Sequence, residues 1–241
     1  MLQLEFMPPD TRRVFEVLAQ ERLMQGFVLI GGTALSIQLG HRLSEDLDFW
    51  LPEHAMSKVR VDEILFNLGK LGIHHQFATP AWQLSQARIN GIDLLSQSRD
   101  HIVDGVKVTF FARDDVPYRY FANLPKITGH ATFAIATDNM IFQMKSWLIT
   151  QRVKSRDLYD LMVMMQRGNG LQDILAAGAN ADPAFQREYA KEVLVGNVPL
   201  DKGDERFESI SLKVTTEEIY RYFLAAVNEY EVNVVATLRN K

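Results

Sequence analysis

Short apolar runs and alternating segments dominate the first 136 residues of the chain. Residues 27–30 are wholly apolar, which is typical of a buried strand, and two glycines then lead into a helical stretch over 33–39. Residues 46–51 alternate between polar and apolar positions and predict a second strand. Asp104-Gly105 is a hairpin signal. Two helices are predicted here as well, one over 11–25 that is capped by Asp10 and one over 56–70. Further strands are predicted over 75–79, 92–98, 106–111 and 131–136.

The second part of the chain has helical periodicity almost to its end. Residues 138–152 place apolar side chains at i, i+3 and i+4 spacing, and Ser155 is expected to cap the next helix. The final helix begins with Thr215-Thr216-Glu217-Glu218, which has the spacing of a capping box. The pattern therefore predicts an α/β domain over residues 1–136 and a helical domain over 137–241.

Composition narrows the class of protein. Of the 241 residues, 47% are hydrophobic and 23% are charged, which is ordinary for a folded protein. The formal net charge is −4, so nucleic acid or anionic lipid would need a local basic patch. The absence of cysteine excludes disulfides, thiolate zinc sites and thiol catalysis, and it suits a reducing compartment. We expect a cytoplasmic protein, because no apolar run reaches the ~20 residues of a membrane helix.

The most informative passage joins the first strand to its helix through Gly31 and Gly32. A strand that turns directly into a helix presents unpaired backbone N–H groups and the positive end of the helix dipole. Phosphate oxygens are the natural ligand there, because glycine lets them approach the backbone. The sequence lacks the third glycine of a dinucleotide fingerprint and the Gly-Lys-Ser/Thr of a P-loop, so neither site is predicted.

Two carboxylates follow on the next predicted strand. Asp46 and Asp48 lie two residues apart, so an extended backbone projects both from one face, about 6–7 Å apart. Like charges repel unless a cation lies between them, and Mg²⁺ takes such oxygen ligands together with water and substrate phosphates. We therefore predict a metal site for Mg²⁺, with Mn²⁺ as the alternative ion, beside a phosphate-binding turn.

Two ordered blocks of residues resemble a known family. The first block is Gly-Gly-Thr-Ala-Leu at 31–35, followed by Gly-His-Arg-Leu-Ser-Glu-Asp-Leu-Asp-Phe at 40–49. The second block is Lys145, then Arg152, then Arg-Asp-Leu-Tyr-Asp-Leu at 156–161. Over about residues 10–168 the chain resembles the AbiEii/AbiGii toxin family of nucleotidyltransferase-fold proteins.

The resemblance implies a nucleotidyltransferase fold, an α/β (α+β) arrangement in which a short mixed β-sheet precedes an all-helical C-terminal domain. It implies transfer of a nucleoside monophosphate from an NTP to an acceptor, with release of pyrophosphate, and related toxins modify the acceptor end of tRNA. It also implies a toxin–antitoxin or abortive-infection system, in which a cognate antitoxin is the protein partner and no membrane is involved.

The resemblance further implies roles for individual residues. Asp46 and Asp48 bind the metal, and the nucleotide phosphates are held at Gly31, Gly32, Thr33, Arg42, Ser44, Arg152 and Arg156. Lys145 is flanked by apolar residues on its predicted helix, and we expect its ammonium to offset charge on the leaving pyrophosphate, so that Lys145→Met retains stability and loses activity. The alternative for Lys145 is a packing role for its methylene groups. Asp157 and Asp160 orient Lys145 or contact the nucleotide. The alternatives are a turn role for Ser44, a surface ion pair of Arg42 with Glu45, a first-turn helix position for Asp157 and a helix-stabilising pair of Arg156 with Asp160.

One departure concerns the general base. Many polymerase-like nucleotidyltransferases carry a third carboxylate on a neighbouring strand, whereas the strand predicted over 106–111 offers Thr109. Asp93 and Asp104 are the nearest acids in sequence, and neither is in register with the carboxylate pair. No general base is predicted.

Two other functions stay open at this point. One is a non-catalytic nucleotide- or partner-binding module on the same fold, and the other is a nucleotidyltransferase with a small-molecule acceptor, such as an aminoglycoside-like hydroxyl. Residues 140–167 carry five basic residues against two acidic ones, a balance of +3. This charge favours a polyanionic acceptor such as RNA, and a solvated helix face is the alternative explanation.

Overall fold

The computed structural model describes residues 2–204, 212 and 214–239, the last three by their backbone. The chain forms two compact units, residues 1–141 and 142–241. The described residues of the first unit form β1 (Val28–Ile30), β2 (Leu47–Leu51), β3 (His75–Phe77), β4 (Ser98–Val103), β5 (Val106–Ala112), β6 (Lys126–Ile127) and β7 (Ala134–Ala136).

The helices are divided between the two units. Those that begin in the first unit are α1 (Pro9–Leu18), α2 (Gly31–Leu39), α3 (Lys58–Lys70), α4 (Ala81–Ile89), α5 (Leu94–Gln97), α6 (Val116–Ala122) and α7 (Asp138–Leu148), with 3-10 turns at Leu4–Phe6 and Arg22–Met24. Those of the second unit are α8 (Ser155–Gln166), α9 (Leu171–Ala181), α10 (Arg187–Leu194) and α11 (Thr216–Arg239). Among the described residues, no helix is long and apolar enough to cross a membrane.

The seven strands form one sheet in the order β3-β4-β5-β2-β1-β7-β6. β1 pairs with β7 and β2 pairs with β5 in parallel, while β1–β2, β3–β4, β4–β5 and β6–β7 are antiparallel. The sheet is therefore mixed, and the described residues after 136 are helical or irregular. The predicted fold class, a short mixed sheet followed by a helical part, is confirmed.

The two faces of the central strands differ in burial. On β2 and β5, Phe49 and Phe110 are fully buried on one face, and the ring of Phe49 lies 4.9 Å from that of Phe133. Burial of each such ring contributes about 2–3 kcal/mol. The opposite face carries Asp48 and Thr109, which are only half-buried. The apolar face thus fixes the register, and it leaves the polar side chains on a face that solvent reaches.

Several predicted boundaries are wrong, and one of them affects the site. The segment over 92–98 is a helical turn, α5 (Leu94–Gln97), and the strand begins only at Ser98. A short apolar run does not by itself distinguish a strand from a helix. The structure therefore places residues 98–103, including Asp100, in a central strand that the sequence pattern does not predict.

Two predicted helix caps and one helix end also differ. Pro8 and Lys154 are the N-caps of α1 and α8, so Asp10 and Ser155 lie inside the first turns. Proline fits the first turn because its missing N–H has no partner there, which shifts the start of α1. α7 ends at Leu148 instead of residue 152, so Arg152 lies beyond the helix that carries Lys145.

Two local predictions from turn and cap chemistry are confirmed. Asp104 and Gly105 have positive φ angles of 43° and 84° and close the tight hairpin between β4 and β5. At the start of α11, the Thr215 N–H donates to Glu218 Oε2 at 2.7 Å, and the Glu218 N–H donates to Thr215 Oγ1 at 3.2 Å. These reciprocal bonds form the predicted capping box.

Candidate active site

The turn between β1 and α2 requires glycine at Gly31. Its φ of +75° lies in the left-handed region, where a side chain costs about 1–2 kcal/mol. A Cβ at this position would lie 2.9 Å from Asp48 Oδ2, closer than real Cβ contacts. The glycine therefore allows the backbone at the start of α2 to lie directly beside the Asp48 carboxylate.

The second glycine lies against a different set of groups. A Cβ on Gly32 would lie against Nη2 of Arg42 and 3.0 Å from Oγ of Ser44. Thr33 Oγ1 lies 2.8 Å from Ser44 Oγ and donates to the backbone carbonyl of Asp46. Backbone N–H groups, two hydroxyls and a guanidinium thus surround the N-terminus of α2, which is a donor set suited to phosphate.

The loop over 40–46 is held in place by hydrogen bonds to other parts of the first unit. Gly40 ends α2 with φ +61°, and the Ser44 N–H donates to the Phe6 carbonyl at 3.2 Å. Thr11 Oγ1 donates to the Glu45 carbonyl at 2.8 Å. These bonds keep Arg42 and Ser44, 6% and 7% exposed, beside the glycine turn.

Asp46 and Asp48, here called the open acidic pair, lie at the start of β2. Asp48 is the second residue of the strand and is half-buried, and Asp46 is exposed one residue before the strand. Within the described residues, no group of three or more His, Cys, Asp or Glu side chains is arranged to hold a metal. Two carboxylates fit Mg²⁺, which is commonly bound by one or two carboxylates with water and substrate phosphates.

A polar row crosses the sheet from the Asp48 position. Asp48 pairs with Thr109 on β5, and Thr109 pairs with Asp100 on β4, so the three residues share one face. The sequence-based expectation that Thr109 faces the carboxylate pair agrees with this register. Thr109 Oγ1 donates to Asp100 Oδ1 at 2.9 Å. The sequence pattern does not predict Asp100 as a site residue, because it predicts the strand over 92–98 and not over Ser98–Val103.

The remaining predicted residues gather in the second unit. Lys145, Arg152, Asp157 and Asp160, here called the buried ion network, are joined by charged hydrogen bonds. Lys145 Nζ donates to Asp157 Oδ1 and lies 2.9 Å from Asp160 Oδ2. Arg152 Nε and Nη2 each lie 2.9 Å from Asp157 Oδ2. Asp157 and Asp160 thus both contact the Lys145 ammonium.

The burial of this network changes one expectation. Lys145, Asp157 and Asp160 are 4%, 4% and 0% exposed. Burial opposes ionisation of Asp157, but the charges of Lys145 and Arg152 outweigh it and hold the pKa of that carboxyl below its ordinary value. Lys145→Met would leave buried carboxylates without their cation, so the structure predicts a loss of stability in place of near-normal stability.

The sequence at the start of α8 is basic and accessible. The Arg152 side chain is 48% exposed, and Lys154 and Arg156 are both partly exposed. Three cations therefore lie within five residues beside the N-terminus of α8, whose dipole has the same sign. This segment, residues 152–156, is a local cluster of positive charge in a chain whose formal net charge is −4.

Comparison with known proteins identifies relatives along most of the chain. An uncharacterized protein of Aquifex aeolicus (strain VF5), aq_aa25, is 27% identical over 235 residues, which are 93% of this chain and 97% of that protein. The solved structure of MenT4, a nucleotidyltransferase toxin from Mycobacterium tuberculosis, is 15% identical with a TM-score of 0.51, over 90% of this chain and 84% of that one. JHP933 from Helicobacter pylori is 19% identical with a TM-score of 0.45, over 95% and 96%.

The likeness to MenT4 bears on the fold, and it agrees with the mixed sheet and the helical second unit. The family is identified by sequence. A model of the family described as "Nucleotidyl transferase AbiEii toxin, Type IV TA system" matches residues 12–227, which include the glycine turn, the open acidic pair and the buried ion network. The chain therefore belongs to the AbiEii nucleotidyl transferase toxins of type IV toxin–antitoxin systems.

Proposed function

We propose that this nucleotidyltransferase transfers a nucleoside monophosphate from an NTP to an RNA acceptor such as tRNA, in a reaction that depends on Mg²⁺. One observation carries the proposal. A Cβ on Gly31 would lie 2.9 Å from Asp48 Oδ2, so the N–H groups of a helix N-terminus and a carboxylate share one small space. Such a space suits a metal–triphosphate complex, whose anionic oxygens and cation need these two kinds of partner.

In this proposal, different residues of the first unit bind the phosphates and the metal. The N-terminus of α2, with Arg42 and Ser44 beside it, holds the phosphates, and Asp46 and Asp48 hold the metal. When bound, Mg²⁺ supplies positive charge that offsets the negative charge on the transferring phosphoryl group. Thr33 ties the Asp46 carbonyl to α2, which keeps the carboxylate pair next to the glycine turn.

An RNA acceptor accounts for the basic segment over 152–156. A molecule of net charge −4 repels a polyanion at long range, so productive binding needs a local cluster of cations. Asp157 holds the Arg152 guanidinium through Nε and Nη2, and Lys145 holds Asp157 in turn. We propose that Asp157 and Asp160 act as positioning residues for Lys145 and Arg152, and that Arg152 and Arg156 bind phosphate groups of the RNA.

A protein antitoxin is the proposed partner, since the family is that of a type IV toxin–antitoxin system. Expression of this chain alone should arrest growth, and co-expression with its cognate antitoxin should restore it. The Asp48→Asn variant should not arrest growth even without the antitoxin. Arrest by Asp48→Asn at matched protein levels would separate toxicity from nucleotide transfer.

The direct test uses each of the four NTPs labelled at the α-phosphate, with Mg²⁺ and either total RNA or an aminoglycoside as acceptor. We expect label on RNA with one or more NTPs, and none with Asp48→Asn. Label on the aminoglycoside alone would favour the small-molecule enzyme. NTP binding without transfer to either acceptor would favour the non-catalytic binding module.

A further inference from the structure

The position next to Asp48 on β5 is occupied by Thr109, and the structure supplies a carboxylate one strand further away. Asp48, Thr109 and Asp100 are consecutive partners across β2, β5 and β4. Strands lie about 4.8 Å apart, which places Asp100 about 10 Å from Asp48 along this row. Asp100 is therefore too far from the carboxylate pair to share a metal ion with it directly.

The Thr109 hydroxyl bridges that gap. Thr109 Oγ1 donates its proton to Asp100 Oδ1 at 2.9 Å, so the lone pairs of Oγ1 are directed away from Asp100. The hydroxyl is half-buried and the Asp100 side chain is 22% exposed, so both lie at the surface that solvent reaches. A substrate hydroxyl at the Asp48 side of the row can donate to Thr109 Oγ1.

Asp100 is held firmly in this position. Its backbone N–H donates to Thr79 Oγ1 at 2.9 Å, and its carbonyl accepts from the Ala78 N–H at 2.8 Å. Lys107 Nζ lies 4.0 Å from Asp100 Oδ2. Lys107 and Thr109 are two residues apart on β5 and share the same face. The Asp100 carboxylate therefore has one oxygen on Thr109 and the other near a cation.

We propose that Thr109 and Asp100 form a proton relay that serves as the general base of the transfer reaction. This inference rests on the proposed function. The acceptor oxygen forms a bond to the α-phosphorus as its proton passes to Thr109 Oγ1. Thr109 passes its own proton to Asp100 Oδ1, and the bond between the α-phosphorus and the bridging oxygen breaks, so that pyrophosphate leaves with the electron pair. Thr109 is the residue that touches the acceptor, and Asp100 acts through it.

Asp100→Asn is the informative substitution, because the amide oxygen still accepts the hydrogen bond of Thr109 but does not take up its proton. We expect kcat to fall by about 10²–10⁴-fold, the range for general acid–base catalysis, with an unchanged KM for NTP. Asp93→Asn, at an exposed surface ion pair with Lys58, is the control and should match the wild type.

Substitutions of Thr109 test the relay from its other end. Thr109→Val removes the hydroxyl and should lower kcat as much as Asp100→Asn, while Thr109→Ser should restore most of the activity. The double variant Asp100→Asn, Thr109→Val should be no slower than either single variant, because both break the same relay.

The outcomes separate this inference from the proposed function. Transfer by Asp100→Asn with the kcat of the wild type overturns the relay alone. Wild-type protein that transfers no nucleotide to any acceptor overturns the proposed function and the relay together. Loss of kcat in Asp100→Asn and in Thr109→Val at an unchanged KM for NTP, with most of the activity kept in Thr109→Ser, supports both.

Discussion

Each unit of the molecule carries a pair of aspartates, and their surroundings differ sharply. In the open acidic pair, Asp46 is exposed and Asp48 is half-buried. In the buried ion network, Asp157 and Asp160 are 4% and 0% exposed and bound to Lys145. The first pair lies where solvent reaches it, while the second is enclosed together with Lys145. The same residue type is thus accessible to solvent in one unit and buried with a cation in the other.

Lys145→Met should produce the largest effect on stability. The substitution leaves buried carboxylates without their cation, and removal of one partner from a buried pair costs about 3–5 kcal/mol. Denaturant unfolding of the variant measures this loss. The control is Lys58→Met, at an exposed pair with Asp93, which should change stability by about 1 kcal/mol or less. Equal stability of Lys145→Met and wild type would contradict the structural role of the network.

His101 should make the protein sensitive to acid. It is 2% exposed, and neither ring nitrogen has a hydrogen-bond partner among the described residues. Burial, with Arg99 and His75 nearby, lowers its pKa to about 4. Below the ordinary pKa of 6.5 the unfolded chain takes up a proton that the folded chain does not, so stability falls from about pH 6.5 to pH 4. The loss from this group is on the order of 3 kcal/mol.

His101→Phe should remove this part of the pH dependence, which unfolding curves at pH 7, 5.5 and 4 would measure. His130→Gln is the control, because His130 is exposed and is not among the groups that shift the pKa of His101, so the dependence should be unchanged. If His101→Phe loses stability towards pH 4 as steeply as wild type, the buried imidazole is not the sensitive group. The comparison of buried with exposed groups thus extends from the aspartates to this histidine. An imidazole that is buried without a hydrogen-bond partner takes up a proton only at a cost in free energy.

Gly31→Ala should separate backbone strain from disturbance of the site. The positive φ costs about 1–2 kcal/mol, and the added Cβ must displace the Asp48 carboxylate. Gly91→Ala is the matched control, with φ +69° and no atom within 4 Å of an added Cβ. Both variants should lose similar stability in thermal unfolding, and only Gly31→Ala should lose NTP binding in calorimetry. Normal NTP binding by Gly31→Ala would place the phosphate site elsewhere.

Asp46→Asn should have the smallest effect on stability, and in the favourable direction. Removal of one exposed charge from the open acidic pair lowers repulsion, so stability without metal should hold or rise by about 0.5 kcal/mol. Thermal unfolding in EDTA measures the change. A loss of several kcal/mol would mean that the open acidic pair, like the buried ion network, supports the fold.

The sequence predicts the glycine turn and the open acidic pair because local rules determine them. A buried apolar run, two glycines and an alternating strand leave few other arrangements, and the structure follows them closely at β1, α2 and β2. The Asp104-Gly105 hairpin is similarly local, because its turn type is set by the two residues that form it.

The positions of Asp100 and of the buried ion network depend on contacts between residues far apart in sequence, which local sequence patterns do not reveal. The Asp100 strand follows a helical turn whose apolar residues also fit a strand, so only pairing with β5 fixes its position. The Lys145 position is flanked by apolar residues, which indicates burial, but its ion pairs reach 12 and 15 residues along the chain to Asp157 and Asp160. Tertiary packing therefore determines both the position of the Asp100 strand and the ion pairs of Lys145.

The central claim is that the open acidic pair binds the metal for nucleotide transfer. The most direct measurement compares the transfer of α-labelled NTP to RNA by wild-type protein and by Asp48→Asn, across a titration of Mg²⁺ from EDTA upward. The wild type should show no transfer in EDTA and saturable activation by Mg²⁺. Asp48→Asn should remain folded, with transfer lowered by about 10³-fold or more at every Mg²⁺ concentration. Wild-type turnover by Asp48→Asn at the same Mg²⁺ concentrations would contradict the claim.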